Sequence, residues 1–175
     1  MSNYQSKKLQ PKKEELSALF YPQIIQIRES LDLRKSKDLD IDSYIITQVK
    51  NKIGDKCIDI GYVEKDSINI VNRSIGKINT SHFNGEIYYD VRVEANVCKP
   101  SDGQQIKCKV VGKNKIGLFA LAGPLQIVIA SVHYNDTSFF EKINKDDEII
   151  VKIVSYKYQL NEDNIKVIAE FVSKV

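Results

Sequence analysis

The chain has 175 residues, 42% of them hydrophobic, and its formal net charge at pH 7 is +3. These values fit a globular protein with one large or two small domains, and they argue against a disordered or membrane-embedded chain. The mild positive charge permits an anionic partner but does not require one.

The cysteines Cys57, Cys98 and Cys108 show no CxxC spacing. Their odd number and spacing argue against a disulfide framework or a zinc site, and predict a reducing compartment. We therefore expect no metal and no cofactor. The least polar stretch, residues 116–130, is short and interrupted by Gly123-Pro124, so we expect no membrane partner.

Residues 1–14 form a polar leader that contains Lys7, Lys8, Lys12 and Lys13. A run this short is more often a flexible leader than an electrostatic arm for nucleic acid. The first structural elements follow it. Alternation in residues 19–33 predicts a strand after Pro22.

Residues 40–53 have the apolar spacing of an amphipathic helix, with Asp40 or Asp42 as its cap and Gly54 as its end. Short strands are predicted at residues 57–63 and 67–71. The helical stripe consists of Ile41, Ile45, Ile46, Val49 and Ile53.

Residues 72–85 are turn-rich and polar but contain Ile75, Ile78 and Phe83. This segment is either a plain hairpin loop or a contact surface, and long loops in compact domains are often the latter.

A long strand with one buried and one wet face is predicted from residue 85 to residue 98, and we expect it to be central and the longest in the protein. Lys-Pro-Ser-Asp-Gly ends it and leads into a second, β-rich module. The apolar positions of this strand are Ile87, Tyr89, Val91, Val93, Ala95 and Val97.

The second module alternates through Ile106, Cys108 and Val110, turns at residues 112–117, and continues with four more apolar segments. Five short strands in about seventy residues, with a longer link after the third, predict a small closed barrel of the OB type.

With both modules placed, the chain resembles the stalk subunit of DNA-dependent RNA polymerases, a family that comprises the seventh subunit of RNA polymerase II and its archaeal counterpart. The resemblance runs from about Tyr21 to the C-terminus. It is carried by Gly61-Tyr62, the IGKI motif at residues 75–78, the long strand ending in Lys99-Pro100, and then Gly103, Gly117-Leu118-Phe119 and Gly123-Pro124.

The resemblance implies three regions: a leader (1–14), an α+β ribonucleoprotein-like N-terminal domain (15–100) and an all-β OB-fold barrel (101–175). It also implies a non-catalytic subunit that docks on the polymerase core and contacts nascent RNA. The partners implied are the largest polymerase subunits and, as in nuclear and archaeal members, a second stalk subunit.

The segment that would dock on the polymerase contains Arg73, Ile75, Gly76, Lys77, Ile78 and His82. The residues that would contact RNA are Lys107, Lys109, Lys113, Lys115 and Phe119. Ile116 and Val128 stand where resembling barrels often carry aromatic side chains, so contact through phosphates is expected to exceed base stacking. A solvated strand face is the alternative interpretation of these lysines.

Two other functions remain open, namely a free-standing OB-fold RNA-binding factor and an interaction protein that has lost RNA binding. No nucleophile–base pair or phosphate-binding loop stands out, so an enzyme is the least expected class. Abundant isoleucine and lysine, with AT-rich codons, fit a large DNA virus as well as a nucleus. The compartment would be the nucleus or, for a virus, the host's cytoplasmic virus factory or the virion.

Overall fold

The computed structural model describes residues 18–32, 40–78, 80, 86–131 and 142–175. Over these residues the chain forms a six-stranded sheet, one α-helix and a closed five-stranded barrel. The predicted leader, His82 and Phe83 lie outside the described residues. No helix in the described ranges is long and apolar enough to cross a bilayer.

The N-terminal sheet is built around its last strand. Its members are β1 (Phe20–Asp32), β2 (Lys56–Ile58), β3 (Gly61–Val63), β4 (Asn69–Arg73), β5 (Lys77–Ile78) and β6 (Glu86–Cys98). Strand β6 pairs with β1 along its whole length on one side, and with β3, β4 and β5 on the other. The prediction of a central strand is confirmed, but β1 is equally long at 13 residues.

The helix, α1 (Ile41–Ile53), begins and ends as predicted. The Asp40 carboxylate accepts hydrogen bonds from the backbone N–H and the hydroxyl of Ser43, and these bonds lower the pKa of Asp40. Gly54 ends the helix. One face of α1 packs on the sheet through Ile45 and Val49, which are buried.

The face of β6 that was predicted to be buried lies against α1. Val91 and Val93 have no solvent exposure, and Ala95 and Val97 follow them into the same cluster. Burying a valine side chain stabilises the folded state by about 1.5–3 kcal/mol, so this row contributes strongly to the N-terminal core.

Two sequence predictions in this half need correction. Residues 57–63, predicted as one strand, form the hairpin β2–β3, because Gly61 has φ +134° and the chain reverses before it. Part of the predicted loop 72–85 is strand, since Asn72 belongs to β4 and Lys77-Ile78 to β5. The backbone groups of that segment pair with β6.

The C-terminal strands close into a barrel. They are β7 (Gln105–Asn114), β8 (Gly117–Ala122), β9 (Leu125–Ala130), β10 (Glu148–Lys157) and β11 (Ile165–Lys174). Their order around the barrel is β7-β8-β9-β11-β10, with β9 and β11 parallel and β10 returning to β7. Five strands closed in this order fit the predicted OB type.

The two sheets share a core at one end. Cys57 and Cys98 are completely buried within the barrel's hydrophobic cluster, although both belong to the N-terminal sheet. The Cys57 N–H donates to the Glu162 carbonyl at 2.7 Å, and the Asn161 N–H donates to the Cys57 carbonyl at 2.9 Å. Strand β2 thus pairs through its backbone with the turn between β10 and β11.

Candidate functional site

The segment joining β4 to β5 presents two isoleucines to solvent. Ile75 is 82% exposed and Ile78 is 69% exposed. A β-carbon at Gly76 would lie 2.6 Å from Ile87 and 2.9 Å from the ring of Tyr89. Glycine at this position therefore lets the segment approach β6 closely.

Arg73 and Lys77 differ in their surroundings. The Arg73 guanidinium forms an ion pair with Asp42 on α1 and lies 5.3 Å above the ring of Tyr89. Lys77 is exposed and stands opposite Tyr88 in the sheet. Arg73 therefore ties β4 to the helix while remaining exposed, and Ile75, Lys77 and Ile78 are also exposed in the predicted contact. His82 lies outside the described residues.

The predicted lysines of the barrel point outward but are paired with acids. Lys107 lies 2.7 Å from Glu148, and Lys109 lies 2.9 Å from Asp146, whose pKa is lowered by that hydrogen bond. Both partners come from the start of β10 or the residues just before it. An incoming phosphate would compete with these carboxylates, so the net positive field is smaller than the lysines alone suggest.

The structure brings only some of the predicted RNA-contacting residues together. Lys109 stands opposite Leu121 on β8, and Phe119 is the next outward residue on that strand. Lys113 and Lys115 are exposed at the far end of β7 and in the turn that follows. Only Lys107, Lys109 and Phe119 thus share the outward side, because the register shift between Val110 and Gly112 places Lys113 opposite the buried Leu118.

An apolar groove of about 770 Å³ beside Phe119 was missed by sequence reasoning. Val128, noted only as a missing aromatic, stands directly opposite Phe119 and lines the groove, whereas Ile116 lies outside it and is 62% exposed. The outward positions of several strands were the available signal, but they lie far apart in sequence. The other apolar residues lining it include Val111, Leu121, Tyr156 and Ile168.

Tyr156, on β10, and Tyr158, just after it, contact each other and the N-terminal sheet. Tyr156 and Tyr158 stack with ring centroids 6.4 Å apart. The Tyr158 hydroxyl donates to the Asp59 carbonyl at 3.2 Å and so joins the barrel to the β2–β3 hairpin. These contacts support a packing role for both tyrosines rather than stacking on nucleic-acid bases.

The cysteines are held as neutral thiols. Burial raises the pKa of Cys57 to about 11 and that of Cys98 and Cys108 to about 12. Since thiolate is the form that binds metals and attacks electrophiles, these groups act as apolar core side chains. Among the described residues no cluster of His, Cys, Asp and Glu could hold a metal ion.

No protein-family model matches this chain. It is 28% identical over 148 residues to a protein of Acanthamoeba polyphaga mimivirus described as a putative DNA-directed RNA polymerase subunit, L376, covering 76% of this chain and 72% of the relative. It is also 28% identical over 103 residues to the RNA polymerase II subunit RPB7 of Glycine max, covering 51% of this chain and 58% of that protein. The resemblance found in the sequence is thereby confirmed: this chain is similar to the RPB7-like stalk subunits of DNA-directed RNA polymerases, with a viral protein among its relatives.

Proposed function

We propose that the chain is a non-catalytic subunit of a DNA-directed RNA polymerase. The observation that carries the proposal is the similarity to a putative polymerase subunit of a virus over 76% of the chain and to RPB7 of a plant over 51% of it. The sheet with its helix serves as a ribonucleoprotein-like N-terminal domain (15–100) that docks on the largest subunits. The OB barrel (101–175) contacts nascent RNA.

Exposure of the β4–β5 segment supports docking through it. Ile75 and Ile78 are large apolar side chains in solvent, and a protein interface would bury them. Because Gly76 has no side chain, the segment lies close against β6, and this packing supports the backbone that carries the two isoleucines. A second stalk subunit remains an expected partner in the same assembly.

The docking proposal is tested by Ile75→Asp combined with Ile78→Asp. We expect the tagged variant to lose the two largest polymerase subunits in a pull-down read by mass spectrometry, with circular dichroism unchanged. The matched control is Leu160→Asp. Leu160 is similar in size to isoleucine, is 61% exposed and belongs to the C-terminal barrel region. Retention of the polymerase by the double variant would reject this docking surface.

RNA contact through the barrel is proposed to be weak and electrostatic. Lys107, Lys109, Lys113 and Lys115 would meet phosphates, with Phe119 as one aromatic neighbour. Phosphate contacts release counterions, so affinity should fall steeply with salt and depend little on sequence. Because two lysines exchange a carboxylate for a phosphate on binding, each contributes less than a free lysine would.

The measurement is fluorescence anisotropy of a short single-stranded RNA across a salt series, using the whole chain. Lys107→Gln with Lys109→Gln should weaken binding and flatten the salt dependence more than Phe119→Ala does. Glutamine is preferred to glutamate because a new acid would repel Glu148 and Asp146. Lys50→Gln with Lys56→Gln removes the same charge from the N-terminal half and serves as the control.

An interaction protein without RNA binding is the second candidate function. The apolar groove and the acid-paired lysines favour it, because both suit a protein partner better than a polyanion. The RNA titration separates the two, since this candidate predicts no binding even at low salt. The compartment proposed is the nucleus or, for a viral protein, the virus factory or virion.

A further inference from the structure

The outer edge of β1 can be assigned from hydrogen bonds elsewhere in the sheet. In an antiparallel pair, two directly opposite residues both point their backbone groups toward each other or both point them away. The Asp90 carbonyl accepts from the Ser74 N–H, and the Asn96 carbonyl accepts from the Glu64 N–H. Both β6 residues thus point away from β1.

Their partners on β1 must therefore point outward. Arg28 stands opposite Asp90, and Pro22 stands opposite Asn96. The Lys52 ammonium donates to the Arg28 carbonyl from outside at 3.5 Å, as this assignment requires. Proline, which has no N–H, occupies another outward position, where sheet edges tolerate it.

Ile24 and Gln26 lie between these two positions on the outer edge of β1, and we call this stretch the window. Ile24 and Gln26 share the outward orientation, because pairing with β6 is continuous from Phe20 to Asp32. Among the described residues, nothing forms a hydrogen bond with the N–H or C=O of Ile24 or Gln26. The Ile24 side chain is 60% exposed.

A cleft of about 330 Å³ adjoins the window. The sheet side of the cleft is formed by residues Ile24–Ile27. The remaining walls come from the end of α1, through Ile53, and from the β2–β3 hairpin, through Ile58 and Ile60. Ile25 and Ile27 point to the helix side of the sheet, where they pack on the buried cluster. Side chains entering the cleft would extend that cluster past β1.

We propose that the edge of β1 at residues 23–27 accepts an added strand, namely a short extended segment of a partner polypeptide. Only an extended backbone offers donors and acceptors at the strand repeat of roughly 3.3 Å per residue. Branched apolar side chains at alternate positions fill the cleft. This surface lies on the opposite side of β6 from Ile75 and Ile78, and it does not depend on polymerase docking.

A second copy of the chain fits the edge less well than a lone segment. Antiparallel pairing of two β1 edges would bring the helix layers of both copies to the same face. Ile53, Ile58 and Ile60 of each copy would then compete for the cleft that the other copy's strand must enter. A lone extended segment has no such layer.

The central variant is Gln26→Pro, which removes an outward N–H while leaving the bonds between β1 and β6 in place. Gln26→Ala keeps the N–H and is its control. The probe is a fluorescein-labelled peptide of roughly eight residues that alternates valine with threonine or lysine, compared with a copy N-methylated along one edge. Anisotropy is measured with the full chain.

We expect the peptide to bind the unchanged chain and Gln26→Ala, and to bind Gln26→Pro at least about tenfold more weakly. The N-methylated peptide should show the same loss. Ile60→Asp, which places a charge at the cleft, should also weaken binding, whereas Ile116→Asp on the barrel should not. Amide exchange should slow at Ile24 and Gln26 when the peptide is bound.

Equal binding to Gln26→Pro, or no binding of the peptide to the unchanged chain, would overturn the proposal. A concentration-dependent dimer in sedimentation, abolished by Gln26→Pro, would also overturn it by showing that a second copy occupies the edge.

Discussion

The two sheets of this protein differ in whether their strands leave an open edge. The described strands of the barrel close on themselves, so they leave no open strand edge and present mainly side chains for recognition. The N-terminal sheet stays open, with one edge at β1 and an interrupted pair of short strands on the other side of β6. The open sheet can therefore offer backbone as well as side chains to a partner.

The exposed surfaces follow from that difference. Ile75 extends from irregular backbone between β4 and β5, and Ile78 from the two-residue strand β5, whereas the apolar residues of the barrel line a groove between regular strands. The lysines of the barrel are held by neighbouring acids. We expect the open sheet to tolerate less change in its core, because its strands are not closed into a barrel in which each strand has a neighbour on both sides.

The largest effect should come from Val93→Asp, which buries a carboxylate at the centre of β6. We expect a loss of about 3–5 kcal/mol in the free energy of unfolding, measured by urea denaturation with circular dichroism. Arg92→Ser, on the exposed face of the same strand, should change it by less than about 0.5 kcal/mol. A barrel that stays folded when the sheet unfolds would show that the shared core at Cys57 does not couple them.

The barrel can be perturbed at Gly117, which has φ +155° and lies against β9. An alanine β-carbon there would be 2.0 Å from the Ile129 carbonyl oxygen. We expect Gly117→Ala to cost about 2–4 kcal/mol in thermal or urea unfolding. Gly112→Ala, near the same hairpin, meets no atom within 4 Å and should be close to neutral. Similar losses for both would contradict the assigned packing.

Alkaline pH should weaken the junction between the sheets. Burial raises the pKa of Cys57 to about 11 and of Cys98 to about 12, from an ordinary value of 9.0, and raises that of Tyr62 from 10.0 to about 12. The folded state thus holds protons that the unfolded state releases above pH 9, so stability falls as pH rises from 9 to 12. Urea unfolding at pH 8 and pH 10 measures this.

Replacing Cys57 and Cys98 by alanine should reduce that pH dependence, although it also lowers stability at pH 8. A slope between pH 8 and pH 10 that is unchanged in the double variant would show that Cys57 and Cys98 do not cause it.

The smallest effect is expected from Tyr158→Phe, which removes the hydrogen bond to the Asp59 carbonyl. One such bond contributes about 1 kcal/mol, so the urea midpoint should fall slightly. Tyr156→Phe removes the hydroxyl from the neighbouring stacked ring and serves as the comparison. An equal or larger loss for Tyr156→Phe, which keeps the stacked ring, would mean that the bond to the Asp59 carbonyl is not the cause of the effect.

Periodicity made the main elements predictable. The helix and β6 each repeat apolar residues at the spacing of their geometry, and Asp40 and Gly54 marked the helix ends. The β2–β3 hairpin was missed because its apolar alternation continues past the turn, and only the backbone angle of Gly61 shows the reversal.

The candidate site was less predictable for a physical reason. Outward orientation of Lys107 and Lys109 follows from local alternation, but their acidic partners lie about forty residues away and meet them only through β7–β10 pairing. The groove beside Phe119 and the outward direction of Ile24 likewise depend on which strands become neighbours. Local alternation of residues does not reveal which strands pair.

The pairing of β2 with the β10–β11 turn can form only late in translation. Cys57 receives its backbone partners from Asn161 and Glu162, about one hundred residues later in the chain. At a translation rate of about 5–20 residues per second, roughly 5–20 s pass before those residues are made. Until then the nascent sheet exposes Cys57 and, once it is made, Cys98, so we expect the growing chain to be open to chaperone binding until its last two strands emerge.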